Sequence, residues 1–396
     1  MKPTPSLSTN LRALPPVVWI LFFGTFLNKF GSFVVPFLAL YMTRKGYSIA
    51  QAGMAIGAYG IGNVVATMVG GHLADHIGRR KTIILSMLSG AASMLLLSQA
   101  VRFPFILIFS ALAGLAGEFY RPASSALLTD LVPASNRVTA FSAYRLAINA
   151  GWAFGPATAG FIATRGYFWL FAGDAATSIL FGAVAFFALP EGVHPHANGT
   201  ASRSEATSTL LQDKKLHRFL LASFGVALIF SQMNSTYGLA VMHLGFSPAA
   251  YGALLSMNGV LVVFCELPLT TVTRRFPVMG VVALGYLLSG LGLALNGFAS
   301  TIPALLASMA VFTLGEMTAM PVSSAYVAEL APDHMRGRYM GTYGLTWTLA
   351  QVIGPGIGMW LFSNGQTWYW IAAAAIGITS AIVVLGPRSN RCASVR

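Results

Sequence analysis

Glu191–Lys215 reads EGVHPHANGTASRSEATSTLLQDKK and is the one long polar stretch in a chain of 396 residues, of which 56% are hydrophobic and 9% charged. Outward from it, on either side, the chain breaks into apolar runs bounded by charges, glycine and proline. Six precede it, near 17–42, 49–72, 82–101, 104–128, 138–164 and 167–190. Six follow, near 217–243, 248–273, 278–298, 302–328, 338–362 and 367–387. A soluble domain carries charge on roughly a quarter of its residues, so a mean hydropathy of +0.69 makes lipid the solvent for most of this surface. A membrane-crossing helix uses roughly 20 residues, and each run is about that long. The expected fold class is all-α integral membrane, with twelve transmembrane helices in two six-helix bundles. The expected domains are 1–190, a cytoplasmic linker 191–216, and 217–396.

The formal charge of +13 lies in short clusters between the runs, not along one helix face. That placement excludes a nucleic-acid surface and marks loop sidedness instead. Alternate loops and both tails hold seventeen Lys and Arg, among them Arg79, Arg80, Lys81, Lys214 and Lys215. The opposite set holds Arg44, Lys45, Arg102 and Arg165. Both termini are therefore expected in the cytoplasm, and the Asn198-Gly199-Thr200 sequon with them. The first run is too long for the apolar core of a cleavable signal. Cys265 and Cys392 offer neither a structural disulfide nor a metal spacing, and His194 and His196 are read as incidental linker residues. No metal and no cofactor is expected.

The two sets of runs also align with each other. Adding 199 carries Pro122 to Pro321, Ser124 to Ser323, Asp130 to Glu329, Arg137 to Arg336, Tyr144 to Tyr343, Gly155 to Gly354 and Pro156 to Pro355, without a gap. Small residues alone match by chance in lipid-compatible helices, but a Pro, an Arg and a Gly-Pro in register point to an internal repeat. Repeat-built transporters place their sites at the repeat interface.

Between runs 2 and 3 stands GGHLADHIGRRK, Gly70–Lys81. It resembles the loop signature of the major facilitator superfamily at Gly71, Leu73, Asp75, Gly78, Arg79 and Arg80. The resemblance implies a conformational latch: Gly71 and Gly78 allow close backbone approach, and Asp75 lies beside the guanidinium pair. Run 5 holds GWAFGPATAG, with Gly151, Gly155, Pro156 and Gly160. This is similar to the packing element of drug:proton antiporters in that superfamily, with Ala159 in place of one glycine. Small residues four apart permit tight helix contact, and Pro156 bends the helix. The Arg that many of those antiporters carry early in helix 4 is missing, since Ser110 and Ala113 stand there.

Charges within a bilayer cost about 2.5–3.5 kcal/mol each at a helix centre and call for a reason. Lys29, Glu118, Arg121, Arg145, Asp174, Glu266 and Glu316 fall inside the runs. Glu118 and Arg121 are three apart on one helical face, able to pair with each other or with Lys29 and Glu316. By resemblance, helices 1, 4, 7 and 10 line a central cavity. The candidate substrate contacts are Lys29, Asn28, Arg121, Tyr120, Gln232, Asn234 and Tyr237. A carboxylate removed from water holds its proton more readily, and a cation nearby opposes this. Glu316 has no basic residue within a helical turn in the sequence, whereas Glu118 has Arg121. Glu316 is therefore expected as the principal proton carrier, Glu118 as the second, and Asp174 as either a third or an interfacial residue. Arg145 and Glu266, toward helix ends, are read as snorkelling or paired.

The sequence carries no phosphate loop, metal cluster or nucleophile constellation, so no enzyme is expected. The expected function is proton-coupled export of amphipathic or drug-like small molecules by alternating access. Proton symport of an organic anion or peptide, and a lipid-handling or receptor role on the same fold, remain as alternatives. The expected setting is a bacterial inner membrane, with the protein monomeric and its partners the substrate, protons and lipid.

Overall fold

The computed structural model describes residues 11–133, 136–191, 212–273, 275–332 and 335–386, and among them there is no strand. Fifteen helices follow in order. They are α1 Pro16–Phe30, α2 Val34–Arg44, α3 Ile49–His76, α4 Arg79–Gln99, α5 Phe103–Glu118, α6 Tyr120–Leu131, α7 Arg137–Arg165, α8 Phe168–Ala188, α9 Lys214–Met233, α10 Thr236–His243, α11 Pro248–Thr273, α12 Val278–Leu295, α13 Ile302–Leu330, α14 Arg336–Asn364 and α15 Gln366–Leu385. Their starts carry local signals. At the head of α3 the Ser48 hydroxyl accepts from the Gln51 amide while the Gln51 side chain accepts from the Ser48 amide, a reciprocal cap. Gly78 precedes α4 at φ +94°, a conformation that only glycine adopts cheaply.

Eleven of the described helical segments are long and apolar enough to cross a membrane, where α1–α2 and α5–α6 each count as one. Outside that set stand α10, which has 8 residues, and α7, which has 29. The length of α7 suffices, but Arg145 and a run of Gly, Ala and Thr dilute its apolar character. Large apolar side chains stand exposed along the segments, Phe187 at 84% and Leu267 at 76% among them. A water-facing protein hides such groups, and a lipid-facing one displays them.

Three of the expected runs are broken. Run 1 divides at Gly31–Phe33. Pro36 has no N–H to give the Ser32 carbonyl, and the Ser32 hydroxyl bonds the Asn28 carbonyl at 3.0 Å. Run 7 divides at Asn234–Ser235, between α9 and α10. Run 4 divides at Phe119, for a reason that lies on another helix. The hydroxyl of Ser86 on α4 donates to the Ala116 carbonyl at 2.5 Å and accepts from the Tyr120 amide at 3.1 Å. It occupies the place of the helical bond from residue 120 to residue 116, and Pro122 removes the next-but-one donor. A side chain inserted into the ladder is a recognised cause of a kink. Interrupted helices persist in membranes only where protein or water satisfies the freed groups.

By contact, the described residues form two compact units. One holds those within Met1–Asn198 with Gln232–Val263 and Pro355–Trp360. The other holds those within Gly199–Ser231, Phe264–Gly354 and Leu361–Arg396. The first has its main core around Leu21, Ile83, Tyr120, Leu127 and Phe181. The second is built around Val226, Val282, Tyr286, Val327 and Tyr339.

Candidate functional site

Within the first unit, three of the intramembrane charges meet. Nζ of Lys29, in the last turn of α1, is 2.6 Å from Oε1 of Glu118, and Oε2 of Glu118 is 3.4 Å from Nη1 of Arg121. The Lys29 and Glu118 side chains are 6% and 17% exposed, against 60% for Arg121. An ammonium buried this deeply persists only with a carboxylate against it. The ring of Tyr120 supplies a second partner, its centroid 5.6 Å from Nζ. Tyr120 is fully buried and packs edge-on against Phe181 of α8. The Phe119 break thus falls between Glu118 and the Tyr120–Arg121 pair, and Ser86 sets the step between them.

Asp174 on α8 is 7% exposed and lies against the amides of Phe33 and Val34, where α2 begins. The start of a helix carries unpaired N–H groups and a partial positive charge, and a carboxylate fits there. Its Oδ2 has no hydrogen-bond partner among the described residues. Lys29, Glu118 and Tyr59 are its charged and titratable neighbours. The sequence left Asp174 either interfacial or functional, and the structure buries it at the helix 1 break. Asn28 is buried too, its amide directed at Met87 Sδ at 3.5 Å.

The run 5 glycines meet other backbones. A methyl group on Gly151 would fall 2.6 Å from Lys29 Cβ, and one on Gly155 2.6 Å from the Phe30 carbonyl. One on Gly160 would fall 2.7 Å from the Pro248 carbonyl. Beside the proline, the Ala157 amide donates to Ser256 Oγ at 2.8 Å.

The candidates of run 7 gather elsewhere in the same unit. The side-chain Oε1 of Gln232 accepts from Thr236 Oγ1 at 2.8 Å, Asn234 is half-buried at the break, and Tyr237 is fully buried. Tyr237 packs edge-on against Tyr251. The Tyr251 hydroxyl is shared between the Met233 carbonyl at 2.7 Å and the Pro36 carbonyl at 3.1 Å. One hydroxyl therefore ties the broken part of run 7 to α2. Nothing in the sequence singled out Tyr251, because its role depends on two carbonyls far away in the chain. Glu316 is half-buried on α13 and belongs to the second unit.

The loop signature takes a different geometry from the one expected. Arg79 is buried, and its Nε is 3.0 Å from Oδ2 of Asp130 on α6, while Asp75 is exposed. The arginine turns toward the end of run 4, not toward the acid of its own loop. Asp130 matched Glu329 in the repeat, the one signal that marked it. Arg80 lays its guanidinium over the Phe186 ring and donates to the Phe186 carbonyl. Close backbone approach belongs to Gly70, whose added methyl would strike the Phe119 carbonyl, and not to Gly71, which faces open space.

A family model described as Major Facilitator Superfamily matches residues 21–242 and 219–394. The chain belongs to that family: it is a multi-pass membrane transporter of small molecules and not an enzyme. The multidrug resistance protein MdtH of Yersinia pestis is 25% identical, over 88% of this chain and 87% of its own. A Na(+), Li(+), K(+)/H(+) antiporter of Planococcus maritimus is 26% identical, over 91% and 92%. Among solved structures, a POT family transporter in complex with a thioalcohol-conjugated peptide superposes with a TM-score of 0.78. It has 16% identity and covers 95% of this chain and 98% of its own, which shows the major facilitator fold.

Proposed function

We propose that the chain exports amphipathic, drug-like molecules in exchange for protons across a bacterial inner membrane, with both termini cytoplasmic. The observation that carries this reading is the ion pair of the buried Lys29 and Glu118, joined by the more exposed Arg121, with the buried Asp174 close by. Stability alone is served better by apolar residues of similar volume than by a buried ion pair. A cluster retained at that cost is suited to changing its charge state during a cycle. The names of the Yersinia and Planococcus relatives support drug export and proton antiport respectively.

In this reading Glu316 is the principal proton carrier, with Glu118 and Asp174 as further carriers. Lys29, Asn28, Arg121, Tyr120, Gln232, Asn234 and Tyr237 supply the substrate contacts, and the two duplicated halves rock in alternation. The Gly71–Arg80 loop acts as the latch, with Asp130 as the partner of Arg79. The drive is adequate, since one charge crossing 100 mV is worth about 2.3 kcal/mol. The test is the purified monomer in liposomes under an imposed pH gradient, with internal pH followed as candidate compounds are added. Substrate-evoked proton movement that disappears in Glu316→Gln supports the reading. Drug efflux that persists after the proton gradient is collapsed overturns it. Exposure of Arg121 favours a second reading, proton-coupled uptake of an organic anion, which predicts accumulation that rises as external pH falls.

A further inference from the structure

We propose that Arg121 is the anchor for a negatively charged group on the transported molecule, so that the preferred substrates are amphipathic acids or zwitterions bearing a carboxylate. The proposal rests on the transporter reading above and names its substrate class. Its ground is the unequal sharing of one carboxylate. Glu118 gives Oε1 to the buried Lys29 at 2.6 Å, a close charge-assisted contact, and reaches Arg121 through Oε2 only at 3.4 Å and a single nitrogen. Two cations on one carboxylate leave positive charge in excess at the more exposed end, and that end is Arg121, 60% exposed against 6% for Lys29. Asp174 does not correct the excess there, because it is turned to the Phe33 and Val34 amides.

The anchor requires the exposed guanidinium to face water, not lipid. This guanidinium is held to Glu118, which is itself held to α1, and it lies within electrostatic reach of Tyr120 and of Tyr144 on α7. Groups of α1 and α7 thus stand near it, and a place among acyl chains would instead cost about 2.5–3.5 kcal/mol at a helix centre. The break at Phe119, set by Ser86 and Pro122, begins the helix that carries Arg121. A planar guanidinium with a weakly held partner matches a carboxylate in a fork geometry. The half-buried rings of Phe26 and Phe30, stacked 6.0 Å apart along α1 beside Lys29, offer an apolar surface to the rest of such a molecule.

The experiment compares three amphiphiles that share one aromatic body and differ in a single group: a carboxylate, its methyl ester and a quaternary ammonium. Substrate-evoked proton flux is measured in liposomes, and binding is measured by calorimetry on the detergent-solubilised protein. The carboxylate is expected to bind at least tenfold more tightly than the ester. That ratio is expected to fall about tenfold in Arg121→Gln and to be retained in part in Arg121→Lys. Equal affinity for acid and ester in the native protein, or a preference for the ammonium, overturns the anchor. So does a loss in Arg121→Gln that is the same for all three compounds, which marks a structural role. Binding with the predicted ratio but without proton movement keeps the anchor and rejects proton-coupled export; proton movement without the ratio does the reverse.

Discussion

At one corresponding contact the two halves of the chain are built from nearly the same backbone with opposite outcomes. In the first, Ser86 of α4 meets the Ala116 carbonyl and the Tyr120 amide, and the helix breaks. In the second, Gly285 of α12 faces the Gly315 carbonyl and the Ala319 amide, which lie 199 residues on from those two atoms. There α13 runs unbroken through Pro321 from Ile302 to Leu330. Proline stands in both halves, so proline alone does not break the helix. The inserted hydroxyl decides. The same offset carries Glu118 to Met317 and Arg121 to Met320, so the broken helix bears the ion pair and the straight one bears methionine.

This contrast can be broken most severely at the ion pair. Glu118→Met copies the second half but strands Lys29 without its carboxylate. It is expected to cost about 3–5 kcal/mol, as removal of one buried partner does, read as a lowered melting temperature in detergent. Adding Lys29→Met should recover most of that loss, and failure to recover would show that the charge is not what the first half protects. Next comes the glycine contact. Gly285→Ala places a methyl 2.6–2.8 Å from Ala319 and the Gly315 carbonyl. Overpacking of this kind costs about 1–3 kcal/mol. Gly280→Ala, which meets nothing within 4 Å, serves as the control and should change stability by less than about 0.5 kcal/mol.

Ser86 sharpens the comparison further. Ser86→Ala leaves the Ala116 carbonyl and the Tyr120 amide unbridged and should cost about 1–3 kcal/mol. Ser86→Gly lets the two groups close on each other as in α13 and should cost less than Ser86→Ala. A Ser86→Gly variant with an unchanged kink in a crystal structure would return the break to Pro122. The smallest effect is expected at Tyr251→Phe, which removes one shared hydroxyl and about 1 kcal/mol, with the aromatic contacts to Phe37 and Tyr237 kept.

Much of the fold was legible in the sequence because lipid enforces it. Apolar runs of the right length cannot easily be anything but spans, and charges inside them are rare enough to find one another, as Lys29, Glu118 and Arg121 do. The breaks were not legible. Run 4 divides because of a serine more than thirty residues upstream, and run 7 holds no proline at its break. Side-chain direction escaped as well. Asp75 stood next to Arg79 in the sequence, yet Arg79 turns to Asp130 across the helices, and Gly70 rather than Gly71 makes the tight approach. Spacing along one chain tells which groups share a face, not which neighbour that face will meet.

The Ser86 contact bears also on how such a chain can change over generations. Serine and glycine codons of the AGC and GGC type differ by one base. In a chain that carries the same contact twice, a single transition in one copy is therefore enough to give that copy a bend the other lacks, with no insertion, deletion or change of register. A bend in one half and not in the other lies within reach of one mutational step.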